Sequence, residues 1–394
     1  MSRSSRILVA HPWMGRGGSE AAALWTLQAL QDAYEVDFLT ASPVEWNAYN
    51  GAYGTAVDPD RVRYVRAPAL PGVNGPEKMV HLHRRHFEKT CRRMADQYDL
   101  CISAYNPVDF GRPGIQLIGD FSFSEKMRRI LYTVDGEKPR HRDTMVRRAY
   151  LAAGDLAGVP RTPLSERGDL ILANSRWTVG QLAEHFGVPD APVIYPPVIL
   201  PRAIPGVERD PLGFACLGRV APEKEIERIV TILTAVRKAG HPVRLQFVGR
   251  IGDDDYGRKV AKLIETGRDW ICPRGFLDLE EKQNLLSRQS FALHACRIEA
   301  FGIAVAEMAS LGCVPFIPAT GGAGEIVTIR GLRFETVDEA VEKIVFALEN
   351  PDTVGEWRTR LAVATKQFGP EVFMKELREH VAAFGRRGAP VAAR

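Results

Sequence analysis

Short apolar runs alternate with helical stretches twice along this chain, and a cluster of prolines separates the two passages. In the first passage RILVA (6–10) precedes a loop. A helical stretch over 21–33 follows, with Ser19 as the expected N-cap, and then an alternating run over 34–40. A strand, a crossover helix and a second strand imply a parallel sheet covered on both faces. Further strands are predicted at 99–104, 114–118, 169–173 and 193–195. Between Tyr195 and Pro211 stand Pro196, Pro197, Pro201, Pro205 and Pro211. Proline donates no backbone hydrogen bond and breaks helices, so this stretch marks a boundary. The pattern then restarts, with strands predicted at 212–217, 243–248, 291–295 and 314–317 and helices at 223–239, 256–265 and 303–311. Helices over 337–349 and 370–384 and a fraying tail close the chain. The predicted architecture is α/β: two Rossmann-like doubly wound parallel-sheet domains with an interdomain cleft. The expected divisions are 1–200, 201–370 and 371–394, the last a helix packing back toward the first domain, plus the tail. The 394 residues agree with two domains of this size.

Composition removes several classes. With 45% hydrophobic and 25% charged residues the chain is globular rather than disordered. The longest apolar stretch, 303–318, is interrupted by Glu307, so no membrane-spanning helix is expected. The apolar run at the N-terminus is too short for a signal peptide. Six cysteines without a CxxC pair read as reduced, structural thiols of a cytoplasmic protein. A net charge of +4 argues against nucleic-acid binding. That figure hides a local excess: residues 78–148 carry 15 basic and 9 acidic side chains, a net +6. The excess represents either solvated helix faces or a surface for a phosphate-bearing acceptor or an anionic membrane.

Three loops carry chemistry. In such sheets ligands bind at the carboxyl ends of the strands. The first loop, Met14 to Glu20 (MGRGGSE), leads from a strand into a helix. Gly17 and Gly18 allow close backbone approach, and a helix N-terminus offers N–H groups to an anion. It is neither a dinucleotide fingerprint nor a Walker loop. The second, Leu217 to Lys224 (LGRVAPEK), places Arg219 after a strand and Lys224 before a helix, a pairing suited to a diphosphate. In the third, Glu299 to Glu307 (EAFGIAVAE), two carboxylates stand eight positions apart around a strand-to-helix turn. On one continuous helix they would diverge by about 80°. With Glu299 in the loop and Glu307 inside the helix, both can face one site, with the N–H groups of Phe301, Gly302 and Ile303 between them. The acidic run Asp253 to Asp255 invites a metal, but it stands in a loop and no metal ligand is assigned.

These motifs, GGSE, GRVAPEK, EAFGIAVAE and EMASLGCVPFIP, together resemble the retaining glycosyltransferases of family 4, which have the GT-B fold. LANSRWT (172–178) and VIYPPV (193–198) are also similar to that family. The resemblance runs from about residue 6 to 385 and is strongest to members that build lipid-linked oligosaccharides or lipopolysaccharide. It rests on the combination of GR-x4-K with E-x7-E. It implies a hexosyltransferase acting on a UDP- or GDP-sugar with no cofactor required. Arg219 and Lys224 would neutralise the leaving diphosphate. Glu307 would accept from ribose hydroxyls, and Glu299 would bind hydroxyls of the donor sugar. The backbone at Phe301 to Ile303 would meet phosphate and sugar, and the loop with Arg274 and Phe276 would cradle the base. Gly17 and Gly18 would approach the diphosphate from the N-terminal, acceptor-binding domain.

The sequence departs from the family at three places. Where many relatives carry a histidine after an N-terminal-domain strand, GIQLIGDF (114–121) offers Gly119 or Asp120. Asp120 would contact a sugar hydroxyl or orient the acceptor, or else cap a loop. Glu225 stands where relatives often have glycine, and its carboxylate either weakens the hold of Lys224 on phosphate or points to solvent. The glycine-rich segment Gly321 to Glu325 is shortened. The acceptor, a glycan, a lipid-linked glycan or a small molecule, would meet His11, Arg128 and Arg129, with a peripheral contact at the inner membrane face in the lipid-linked case. Two other readings remain: a sugar-nucleotide epimerase or hydrolase of similar fold, and a non-catalytic sugar-nucleotide-binding subunit.

Overall fold

Two six-stranded parallel sheets organise the protein. The computed structural model describes residues 5–15, 17–70, 79–132, 143–200 and 207–388. The chain divides into two units, Met1–Pro197 with Glu371–Arg394, and Val198–Pro370.

The first unit contains β1 (Arg6–Ala10), β2 (Glu35–Thr40), β3 (Val62–Arg66), β4 (Leu100–Ser103), β5 (Ile115–Ile118) and β6 (Leu170–Ala173). Their order is β3-β2-β1-β4-β5-β6. The second unit repeats the plan with β7 (Asp210–Leu217), β8 (Arg244–Val248), β9 (Ile271–Gly275), β10 (Gln289–Leu293), β11 (Val314–Pro318) and β12 (Arg333–Phe334). Its order is β12-β11-β10-β7-β8-β9. In each sheet the first and fourth strands lie side by side. The winding direction reverses there, and the loops at their carboxyl ends diverge to leave a crevice.

Central strands are apolar because helices cover them on both faces. Ile7 and Val9 pack with Leu24 and Leu27 of the helix Gly18–Leu30 on one face of the first sheet. Leu8 and Ala10 pack with Phe87 and Cys91 of the helix Val80–Met94 on the other. Phe373, Met374, Leu377 and Val381 of the C-terminal helix Pro370–Gly388 complete the first of these cores. In the second unit, the helix Ile226–Lys238 buries Ile226, Ile229, Ile232, Leu233 and Val236 at the helical period.

Local expectations needed three corrections. Ser19 does not cap the first helix: Gly17 holds that position, and the Ser19 hydroxyl donates to Glu20. No strand forms over 193–195, where a single bridge joins Val193 to Ala173. Three strands, β3, β9 and β12, were not anticipated, and all three are sheet edges. The sequence of β3, VRYVR, mixes charge into the alternation, β9 carries Pro273, and β12 has two residues. Edge strands tolerate charge and proline because one side makes no ladder.

Candidate functional site

In the second unit, β7 ends at Leu217 and β10 at Leu293. Gly218 and Arg219 follow β7, and a short turn, Pro222–Lys224, leads into the helix Ile226–Lys238. His294, Cys296 and Glu299 follow β10. Because β7 and β10 are neighbours, side chains 75 positions apart meet: Lys224 Nζ donates to Glu299 Oε2 at 2.5 Å. His294 Nε2 lies 3.1 Å from the same oxygen.

This pair is largely removed from water, at 21% and 18% side-chain exposure. Burial alone would raise the Glu299 pKa, but the Lys224 charge and the His294 contact outweigh it and hold the carboxyl well below its ordinary range. Burial would likewise lower the Lys224 pKa, and Glu299 more than reverses that. Both groups are therefore ionised across the physiological range. Arg219 is largely exposed, 3.7 Å from Glu223, and its guanidinium can swing toward a ligand.

The E-x7-E segment folds as a turn followed by the helix Ile303–Ser310. Gly302 caps it with φ +101°, a backbone that side chains rarely adopt. The Phe301 side chain is buried against Phe368, with ring centroids 5.1 Å apart, so only its backbone is available to a ligand. Ile303 is half-buried at the first helical position. Glu307 accepts a hydrogen bond from Lys282 Nζ at 2.8 Å, a partner that sequence reasoning did not identify. Gly322 N donates to the Glu299 carbonyl at 2.7 Å, so the shortened glycine segment braces the Glu299 loop. Arg274 on β9 donates to Gln246 at 2.8 Å, and Phe276 is 56% exposed beside it.

Glu225 takes neither orientation expected of it. It adopts φ +49°, is buried, and accepts from Arg297 Nε at 2.8 Å. The carboxylate therefore ties the Lys224 turn to the Glu299 loop. No sequence signal pairs two residues 72 positions apart.

Among the described residues, His294, Cys296 and Glu299 have potential ligand atoms within 4.8 Å of one another. The fit to an ion is poor. Lys224 already occupies Glu299 Oε2, and burial pushes the Cys296 thiol up to about 12, away from the thiolate a metal needs. Asp253 to Asp255 serve the start of a helix: Asp254 caps Asp255–Thr266, and Asp255 pairs with Arg258.

In the first unit, His11 follows β1 and is buried, with its ring 5.8 Å from that of Tyr105. Burial lowers its pKa against the opposing pull of Glu20. The unfolded chain therefore binds the proton more readily, and stability is expected to fall as pH drops below about 6.5. Urea midpoints at pH 7.5 and 5.5 test this: His11→Asn is expected to flatten the decline, which cannot exceed about 1.4 kcal/mol per pH unit for one group.

The glycine loop is partly self-satisfied. Gly15 N donates to Glu20 Oε1 at 2.9 Å, and Gly17 N donates to the Tyr53 hydroxyl at 2.8 Å. Gly18 begins the helix. Asp120, after β5, accepts from the Tyr105 hydroxyl at 2.5 Å, from Asn106 Nδ2 at 2.8 Å and from the Ser122 N–H at 2.8 Å. It is held by loop contacts on three sides.

Much of the basic segment is neutralised within the unit. Arg85 is buried on Glu88, Arg147 pairs with Glu125, and Arg129 and Arg148 share Asp143. Arg128 donates Nε to the Ser122 carbonyl at 2.7 Å. The run KPRHR (138–142) lies outside the described residues. Among the described residues no helix is long and apolar enough to cross a membrane.

Residues 202–368 match the family model "Glycosyl transferases group 1". A search of curated proteins found no match. Among solved structures, Anabaena HepE in complex with UDP and glucose is 15% identical, with a TM-score of 0.68 over 96% of this chain and 100% of that one. WaaG, a glycosyltransferase involved in lipopolysaccharide biosynthesis, is 15% identical, with a TM-score of 0.69 over 96% and 99%. Sucrose-phosphate synthase from Thermosynechococcus elongatus is 14% identical, with a TM-score of 0.73 over 97% and 100%. At these identities the likeness shows the fold. The chain thus has the GT-B fold, and its residues 202–368 are similar to the glycosyl transferases group 1 family.

Proposed function

We propose that the protein is a retaining, family 4 glycosyltransferase that moves a hexosyl group from a UDP- or GDP-sugar to an acceptor hydroxyl, with no metal required. The observation that carries this reading is the half-buried Lys224–Glu299 pair at the switch point of the second sheet, close in sequence to Arg219 and the Gly302 turn. The family match over 202–368 supports it.

The chemistry follows from the charges. Breaking the sugar–phosphate bond leaves negative charge on the nucleoside diphosphate. Lys224 and Arg219 are cations held where that charge develops, so they lower the barrier electrostatically. Glu299 keeps Lys224 charged and in place, and its second oxygen is assigned to hydroxyls of the donor sugar. Glu307, oriented by Lys282, is assigned to the ribose hydroxyls. The N–H groups at Gly302 and Ile303 are assigned to phosphate, and Arg274 and Phe276 to the base. Gly17 and Gly18 are assigned to the diphosphate. In the first unit, Asp120, His11, Arg128 and Arg129 are assigned to the acceptor, a glycan, a lipid-linked glycan or a small molecule, and a peripheral membrane contact belongs to the lipid-linked case.

A thermal-shift panel of UDP, GDP, ADP and TDP tests donor binding. A ligand at a hundred times its Kd adds about 2.7 kcal/mol of stability. UDP or GDP is expected to raise the Tm, and no shift with any nucleotide sinks the reading. With the matching nucleotide sugar, acceptor-stimulated release of nucleotide marks transfer. Release independent of acceptor would instead mark a hydrolase.

A further inference from the structure

We propose that Arg84 and Arg128 form a subsite for a phosphate group at the carboxyl edge of the first sheet, so that the acceptor is a phosphorylated compound. This rests on the acceptor role given to the first unit above.

The observation is a cation without a carboxylate. Arg84 lies within the helix Val80–Met94 and is mostly covered. Its guanidinium sits over the Phe123 ring, 5.6 Å from the centroid, and donates weakly to the Pro107 carbonyl at 3.4 Å. No carboxylate oxygen lies within 4 Å of it among the described residues, whereas its neighbour Arg85 pairs with Glu88. Arg128 reaches the same turn from the helix Glu125–Leu131, donating to the carbonyl of Ser122, next to Phe123. Its nearest carboxylate, Glu125, is 4.0 Å away and is already held by Arg147.

The electrostatics agree with the geometry. Burial pushes the Arg84 pKa down to about 10; the Glu88 charge pulls it back only in part, and Arg161 and Arg128 push it further down. A covered cation beside like charges is costly unless an anion joins it. Two planar guanidinium groups match the oxygens of a phosphate, and the Phe123 ring covers one side of Arg84. The position supports a substrate role. Pro107 follows β4 and Phe123 follows β5, so both arginines stand over the strand ends where this sheet class binds ligands. The Asp120 network lies on the same loops, through Asn106 and Ser122.

The probe is inorganic phosphate, titrated at constant ionic strength against chloride with thermal unfolding as readout. Wild type is expected to gain several degrees at 10 mM phosphate. Arg84→Gln and the double variant with Arg128→Gln are expected to weaken phosphate at least tenfold, and Arg84→Lys to keep part of the effect. Arg61→Gln, at an exposed pair with Asp32, is expected to behave as wild type. Without phosphate, Arg84→Gln is expected to be at least as stable as wild type, because a repelled cation is gone. An unchanged UDP shift shows that the variants are folded. A second arm separates the sources of phosphate: co-sedimentation with vesicles of phosphatidic acid against phosphatidylcholine, lost in the double variant, assigns a lipid phosphate. A phosphate shift without sedimentation assigns a soluble phosphate ester. No phosphate shift and no sedimentation, or equal responses in wild type and double variant, overturns the subsite. Loss of the UDP shift in wild type would instead sink the transferase reading and leave the subsite standing.

Discussion

Lys224→Ala is expected to lower sugar transfer by about a hundredfold or more, the usual loss when one preorganised charge at a developing anion is removed. Two consequences of the geometry sharpen the expectation. The first is that the substitution also strands Glu299, a largely covered carboxylate left with only His294 beside it. Leaving such a group unsatisfied costs roughly 1 to 3 kcal/mol, visible as a lower urea midpoint. The second is that Glu299→Gln should behave differently. It removes the carboxylate that holds Lys224 but leaves the ammonium, which the diphosphate of UDP can pair in its place, so UDP binding is expected to be retained while transfer falls. The two variants therefore separate charge neutralisation from sugar positioning. Turnover of Lys224→Ala near wild type at saturating donor would remove Lys224 from the mechanism. The pH dependence has a definite sign. The Glu299 pKa is held below its ordinary value, so its contribution to stability is complete above about pH 4.5 and is lost as pH falls below it. Near neutrality this pair adds no slope.

The largest effect on stability is expected at Arg85→Ala, about 3 to 5 kcal/mol. Arg85 is 2% exposed, the bulkiest of the fully buried side chains. It bonds Glu88 and the Val159 carbonyl, and its Nε lies 3.3 Å from Asp155. Truncation leaves the buried Glu88 charge uncompensated and opens a cavity between the helices Val80–Met94 and Met145–Ala157. Urea denaturation measures the loss. A change below about 1 kcal/mol would show that the pair is dispensable. Arg84→Gln, one position earlier, is expected to be at least as stable as wild type, because no carboxylate lies within 4 Å of Arg84 among the described residues and its burial beside Arg161 and Arg128 outweighs the pull of Glu88. Adjacent arginines in one motif thus receive opposite stability predictions.

The fold was largely legible. Strands buried on both faces must be apolar along their length, and the core strands of both sheets announce themselves in that way. The edge strands β3, β9 and β12 do not, because an edge mixes charge, proline and short length into the pattern. The site was legible as motifs and not as contacts. GR-x4-K and E-x7-E can be read in order, but their meeting depends on β7 and β10 being neighbours. The partner of Glu307, Lys282, comes from a helix with no motif of its own. His294 joins Glu299 across four intervening residues whose shape no local rule dictates.

What the sequence alone determined is therefore everything carried by local periodicity and backbone chemistry: two parallel α/β sheets, and glycine at Gly302, where φ is positive. Only the tertiary structure decided how the charges are shared. Residues 78–148 read as a net +6, yet Arg85, Arg129, Arg147 and Arg148 are spoken for by carboxylates of the same unit. Glu225, one position from Lys224, spends its charge on Arg297, while Lys224 finds Glu299. The physical reason is range. Burial is encoded by neighbours in sequence, whereas an ion pair forms within 4 Å between groups that only the completed sheet brings together.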